Sequence, residues 1–244
     1  DTVSGSETGT GIRRILLKLS GEALMGDQDF GISHDMLEYV SDEISTAVQR
    51  GAQVAIVVGG GNIFRGLSSA AGNMDRVPAD QMGMLATVMN AIAIAENLNR
   101  NDIPATVLSA IPVGSFTEIF SRRLALEYLE SGKVVIFAAG TGNPYFTTDT
   151  AASLRAIEIS ADLLLKATQV DGVYDADPKT DPAAKKFQKL GFDEVLRRQL
   201  GVMDLTAITL CLENDLPLRV YEMRSKGALG RILDGQNEGT LVTN

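Results

Sequence analysis

What this sequence has little of narrows its chemistry first. Its 244 residues hold one cysteine, Cys211, and one histidine, His34. That leaves no intrachain disulfide, no Cys/His zinc cluster and no nucleophile that relies on a histidine base. Positive charge is also short: 22 Lys and Arg stand against 31 Asp and Glu, a formal charge of −9. Bulk electrostatics therefore draw in neither nucleic acid nor an anionic membrane, and any bound anion must be held by local groups. Long hydrophobic runs are missing too. The most apolar stretch, Met82 to Ala95, is interrupted by Thr87 and Asn90 and falls short of the roughly 20 residues that cross a bilayer. The opening residues, Asp1 to Gly11, are Ser, Thr, Gly and acid, without the cationic start and apolar run of a signal peptide, and read as a solvated tail. The expected compartment is the cytosol.

What is present reads as alternating strands and helices. Ile12 to Leu19 forms a strand that runs directly into Ser20-Gly21-Glu22, so Lys18 sits at a strand's carboxyl end. Ser33 caps a helix carrying Leu37, Val40, Ile44 and Val48 at helical spacing, and Gly51 stops it. Strand Val54 to Val58 leads into Gly59-Gly60-Gly61-Asn62, and a helix apolar around much of its girth runs from about Ala79 to Arg100. Thr106 to Leu108 and Val134 to Phe137 are strands separated by a helix capped by Ser121. A further helix reaches about Ser160, followed by strand Leu163 to Lys166 and an Asp-, Pro- and Gly-rich loop from Asp171 to Pro182. Helices near Asp193 to Leu200 and Asp204 to Glu213 precede strand Leu218 to Tyr221 and a short segment ending at Leu241-Val242. Continuous apolar strands alternating with helices predict an α/β fold, a three-layer α/β/α sandwich with a mostly parallel central sheet. With no linker-like break between Ile12 and Val242, residues 12–244 are expected to form a single domain with two functional lobes.

The unusual residues fall just after successive strands, where open parallel sheets bind ligands. Lys18-Leu19-Ser20-Gly21, Gly59 to Asn62, Gly140 to Asp149 and Lys166 supply glycine, hydroxyl, amide and lysine. Those are the groups a phosphate site requires: backbone amides free to approach oxygen, plus fixed positive charge. A dinucleotide G-x-G-x-x-G starting at Gly59 would need glycine where Phe64 stands, and no P-loop signature occurs.

These segments together resemble the bacterial uridylate kinases of the amino acid kinase superfamily. The resemblance is carried by Lys18 to Glu22, Gly59 to Gly66, Met82 to Asn90, Gly140 to Asp149 and Lys166 to Tyr174, and it runs from about Ile12 to Val242. It implies transfer of the γ-phosphoryl group of ATP to UMP with Mg²⁺ carried by ATP and no metal held directly by the protein. The acceptor phosphate, with a second pKa of about 6, is already an anion at neutral pH, so no general base is needed. Catalysis is then positioning and cationic stabilisation of a loose transition state.

Position by position, the resemblance makes Lys18, Lys166 and Asp149 catalytic, with Asp149 organising the lysines or Mg²⁺. On the residues alone, Asp149 also reads as the cap of the following helix. The implied ATP-side residues are Lys18, Leu19, Ser20, Gly21, Gly61, Arg65, Thr168, Tyr174 and Asp177, with Tyr174 offering a flat face to adenine. The implied UMP-side residues are Gly60, Asp80 as ribose acceptor, and the loop residues Thr141, Gly142, Asn143, Phe146, Thr147 and Thr148. A homohexamer, inhibition by UTP and activation by GTP between subunits are implied as well, but the GTP effect is expected to be weak in this chain. For GTP, the stretch Ala95 to Arg100 and Thr106 offers a triphosphate few cations besides Arg100.

Overall fold

The computed structural model describes residues 11–64 and 74–244. The expected tail before Gly11, and Arg65 and Gly66 of the glycine segment, lie outside the described residues. In chain order the first half comprises β1 (Arg14–Leu19), a 3-10 turn (Gly21–Leu24), α1 (His34–Gln49), β2 (Gln53–Val58) and α2 (Gly61–Phe64). Then come α3 (Arg76–Arg100), β3 (Ala105–Ser109), β4 (Glu118–Ile119), α4 (Arg122–Glu130) and β5 (Val134–Ala138). The second half comprises α5 (Thr148–Glu158), β6 (Leu163–Thr168), β7 (Lys189–Gly191), α6 (Phe192–Arg198) and α7 (Leu205–Glu213). It ends with β8 (Leu218–Glu222), α8 (Ala228–Leu233) and β9 (Thr240–Thr243).

The strands form one nine-stranded sheet in the order β4-β3-β5-β2-β1-β6-β8-β9-β7. Every neighbouring pair is parallel except β8 with β9. Strand residues alternate between two apolar layers: Ile15, Leu17 and Leu19 of β1 pack with α1, α3 and α8, whereas Leu16 packs with α4, α5, α6 and α7. Helices therefore cover both faces, which is why the central strands read as continuous apolar runs. This is the expected three-layer α/β arrangement.

Differences from the sequence reading are local. Strands β4 and β7 and helix α8 are too short to carry a hydrophobic period. Helix α3 begins at Arg76, three residues before the expected start, with Pro78 inside its first turn. The amides of a first turn have no intrahelical acceptor, so a proline there costs no hydrogen bond.

The position of the site follows from connectivity. From β1 the chain passes to β2 on one side, and it later returns as β6 on the other. The sheet's winding reverses at β1, which opens a crevice beyond the carboxyl ends of β1, β2 and β6.

Candidate active site

Lys18 and Lys166 are direct register partners on β1 and β6. In a parallel pair, partners point to the same face, so two ammonium groups are forced side by side at the strand ends. Each neighbour, Leu17, Leu19, Leu165 and Ala167, belongs to the opposite apolar layer. Helix α5 brings Asp149 over the lysines, with its Oδ1 2.9 Å from Lys18 Nζ and its Oδ2 2.8 Å from Lys166 Nζ. Lys166 Nζ also donates to the Val202 carbonyl at 2.5 Å. All three side chains are largely buried.

Two cations share the Asp149 carboxylate in a poorly solvated place, and the Asp204 carboxylate also acts on Lys166. Burial pushes the Asp149 carboxyl upward, but the two lysines outweigh it and hold it below the usual carboxylate range. Burial is also the largest influence on Lys166; although Asp149 opposes it, the ammonium is held below the ordinary lysine range. Burial leaves these ammonium groups poorly solvated, and an incoming phosphate oxygen would be drawn to them.

The glycine turns meet directly behind this bridge. A Cβ on Gly21 would lie 2.5 Å from the Gly61 amide nitrogen, and one on Gly60 would lie 2.8 Å from the Ala86 Cβ of α3. No side chain fits either contact, so glycine here meets a packing demand beyond that of a turn. Ser20 caps the 3-10 turn, its Oγ accepting from the Ala23 amide at 3.2 Å. Leu19 is fully buried in the α1 and α3 layer, so only its backbone can face a ligand.

On one side of the bridge lies a cavity of about 330 Å³ lined by Gly60, Gly61, Asp80, Thr141, Asn143, Phe146, Thr147 and Thr148, with Phe64, Ala79, Gly83, Met84, Thr87 and Gly140 completing the wall. Seven of the eight residues implied for the UMP side converge here. Gly142 does not line it; its φ of +79° turns the loop. Gly61, implied on the ATP side, also faces this cavity. On the other side a larger opening, about 630 Å³, brings together Lys166, Thr168, Tyr174 and Asp177. Ser20 lies apart from it, in a third cavity of about 300 Å³ that Thr168 also borders. Tyr174 donates its hydroxyl to Asp171 Oδ1 at 2.6 Å, and Asp177 Oδ1 accepts from the Lys179 amide in its own turn.

The cap of α5 is Thr147, whose hydroxyl oxygen accepts from the Thr150 amide. Asp149 stands in the first turn instead, and both of its oxygens face lysines. The capping reading of Asp149 is therefore corrected: an aspartate two residues inside the helix points across the crevice, where the lysines compete for it.

Three supports were not legible as functional. Asn62 and Asn90 exchange reciprocal amide hydrogen bonds of 2.9 and 2.7 Å, and Asn90 Nδ2 also donates to the Gly59 carbonyl at 2.7 Å. Both are buried, and together they brace the glycine turn. Thr87 Oγ1 accepts from the Ala139 amide at 2.8 Å, holding the start of the 140–149 loop. Asp204 accepts from the Thr147 and Thr150 hydroxyls while capping α7 through the Ala207 amide. Thr87 and Asn90 did carry a signal, since polar residues inside an otherwise apolar helix must find partners when buried. The contacts of Asp204 span more than 50 residues and leave no local trace.

Among the described residues no group of three or more His, Cys, Asp or Glu side chains is placed to hold a metal ion, and no helix is long and apolar enough to cross a membrane.

Comparison with known proteins matches residues 13–222 to the amino acid kinase family. A protein named uridylate kinase from Ectopseudomonas mendocina is 59% identical over 230 residues, covering 94% of this chain and 93% of its own. The protein of the same name from Pseudomonas aeruginosa PAO1 is 58% identical, with 94% of each chain covered. Among solved structures, UMP kinase from Bacillus anthracis superposes with a TM-score of 0.92 at 38% identity, covering 95% of this chain and 96% of that one. UMP kinase from Ureaplasma parvum gives a TM-score of 0.89 at 36% identity, covering 96% and 99%.

Proposed function

The chain belongs to the amino acid kinase family, and we propose that on this scaffold it works as a UMP kinase, turning ATP and UMP into ADP and UDP. The observation that carries the reading is the bridge: two register-paired lysines sharing Asp149 between two cavities. UMP occupies the smaller cavity, with its phosphate toward Gly60 and the start of α5 and its ribose toward Asp80. Thr141, Gly142, Asn143, Phe146, Thr147 and Thr148 form or shape the wall around the nucleotide. ATP occupies the larger opening beside Thr168, Tyr174 and Asp177, with its phosphates toward Lys18, Leu19, Ser20, Gly21 and Gly61; Arg65 is assigned to the phosphates from the sequence resemblance alone.

A phosphate oxygen of UMP attacks the γ-phosphorus while the bond to the ADP oxygen breaks. The attacking oxygen carries no proton at neutral pH, so no residue need remove one. What the protein must overcome is repulsion between two anions, and Lys18 and Lys166 do so by facing the equatorial oxygens as charge spreads over them. Asp149 keeps both ammonium groups aligned. Mg²⁺ fits as a companion of the nucleotide phosphates, because the Asp149 carboxylate is already engaged by both lysines; when bound, it would neutralise phosphate charge.

The exposed stripe of Leu85, Met89 and Ile92 on α3, joined by Phe116 and Ile119, supports assembly into a hexamer through this face. A hollow of about 330 Å³ beside it is lined, among the described residues, by Glu96 and Glu118 and by no lysine or arginine, which supports weak activation by GTP. UTP inhibits through the uridylate cavity. The enzyme serves cytosolic pyrimidine nucleotide synthesis as one kinase domain spanning residues 12–244.

ADP release measured with UMP, CMP, dTMP, aspartate and N-acetylglutamate as acceptors tests the assignment. UMP should be strongly preferred. Equal turnover of UMP and an amino acid would overturn it.

A further inference from the structure

Helix α3 begins with a residue that helix electrostatics disfavour. Arg76 occupies its first position, where the positive end of the helix dipole repels a cation. Its partner Asp80 follows four residues later, the less favourable order for such a pair. Yet the contact is close: Arg76 Nε lies 3.0 Å from Asp80 Oδ1 and 2.8 Å from Oδ2. The guanidinium also stands over the ring of Tyr145, 5.5 Å from its centre.

Tyr145 belongs to the loop between β5 and α5, and its φ of +73° is a left-handed conformation that a non-glycine residue rarely adopts. Its amide donates to Asp80 Oδ2 at 2.7 Å. One carboxylate oxygen therefore fastens the loop to α3, while Oδ1 takes the longer of the two Arg76 contacts. Asp80 lines the smaller cavity, and a carboxylate oxygen has room for a second donor.

We propose that Arg76 is a positioning residue for nucleotide selectivity. It acts on Asp80 from outside and on Tyr145 from above, fixing the carboxylate so that Oδ2 latches the loop and Oδ1 is presented to a ribose hydroxyl. The idea rests on the UMP kinase reading and adds a residue to it. Lysine would not substitute, because the group whose single Nε meets both oxygens also lays a flat guanidinium over the Tyr145 ring, which a point charge on a flexible stem does not reproduce.

Initial rates for wild type, Arg76→Met, Arg76→Lys, Asp80→Asn and the Arg76→Met/Asp80→Asn pair test this, with UMP and with 2′,3′-dideoxy-UMP as acceptors. If the wild type does not phosphorylate UMP, the functional reading fails before the inference is reached. Given turnover, Arg76→Met should raise the UMP KM about tenfold, the scale of one hydrogen bond to a charged group, with kcat and the ATP KM within about twofold. With the dideoxy acceptor the penalty should shrink to about twofold or less, and in the Asp80→Asn background it should largely vanish, because the two residues act as one unit. Arg76→Lys should behave nearly as Arg76→Met. Arg76 is more than half exposed, so the folded state should survive, and an unchanged melting temperature checks that. An equal penalty with both acceptors, multiplying penalties in the double variant, or full rescue by lysine would each overturn the proposal.

Discussion

The two cavities flanking the lysine bridge are built in opposite ways. The smaller one is walled by the long α3, the start of α5 and a glycine turn braced from behind by the buried Asn62 and Asn90 pair. The larger one is walled mostly by the irregular segment from Thr168 to Lys179 and by residues 198–202, with hydrogen bonds such as Tyr174 to Asp171 lying near the surface. Between them the bridge uses regular elements only, two strands and a helix. Chemistry thus sits on regular elements, acceptor selection on a wall tied to the core, and donor binding on a loop-built wall that touches the bridge through the Val202 carbonyl. A disturbance on the UMP side should reach stability, whereas one on the ATP side should stay local.

The largest effect should come from the bridge itself. Lys18→Ala or Lys166→Ala should lower kcat by at least about 10²-fold with modest changes in either KM, because the charge matters most as the transition state develops. Steady-state kinetics in both substrates would show it. A large KM change with kcat intact would move these lysines from chemistry to binding.

Next is the brace. Asn90→Ala removes the donor to Asn62 Oδ1 and to the Gly59 carbonyl, both buried, and should destabilise the fold by about 1–3 kcal/mol, read by denaturant unfolding. Tyr174→Ala on the other wall should cost less than about 0.5 kcal/mol, as at an ordinary surface site. Equal costs would erase the contrast between the walls. Asp80→Ala should raise the UMP KM about tenfold and leave that for ATP nearly unchanged, since a hydrogen bond to a carboxylate is lost on one side only. A change confined to ATP would reverse the division of the crevice. The smallest effect should be that of Tyr174→Phe, a rise in ATP KM of about twofold as one surface hydrogen bond is lost.

Much of this arrangement was legible because it is written in strand-and-helix periodicity. Ser33 and Ser121 cap the helices expected of them, and the buried strands of the central sheet stand where continuous apolar runs predicted. Lys18 and Lys166 could be placed at strand ends, but not across from each other, since register depends on which strands become neighbours. The start of α3 was hidden by Pro78, which reads as a boundary and is tolerated inside a first turn. The cap of α5 was misplaced onto Asp149 because Thr147 and Asp149 are both good capping residues and only the lysines across the crevice decide between them. The Asn62, Asn90 and Asp204 contacts join residues 28 to 57 positions apart, a distance at which local pattern carries no information.

The central claim is that fixed cations, and no titrating base, carry out the transfer, and the pH dependence of kcat/KM for the acceptor, which reports the free enzyme and free acceptor, tests it most directly. UMP should be compared with uridine 5′-phosphorothioate, whose phosphoryl group loses its second proton more readily. The acid limb should follow the acceptor, lying near pH 6 for UMP, as set by its own second ionisation at about that value, and lower for the thio analogue. The sign on the alkaline side is also fixed: Lys166 of the free protein is held below the ordinary lysine range, so it loses its proton early as pH rises, and kcat/KM should fall before about pH 10.4, the value of a free lysine. Asp149 is held low and stays ionised across this window. An acid limb that keeps the same position with both acceptors would place a titrating enzyme group in the chemical step and contradict the account.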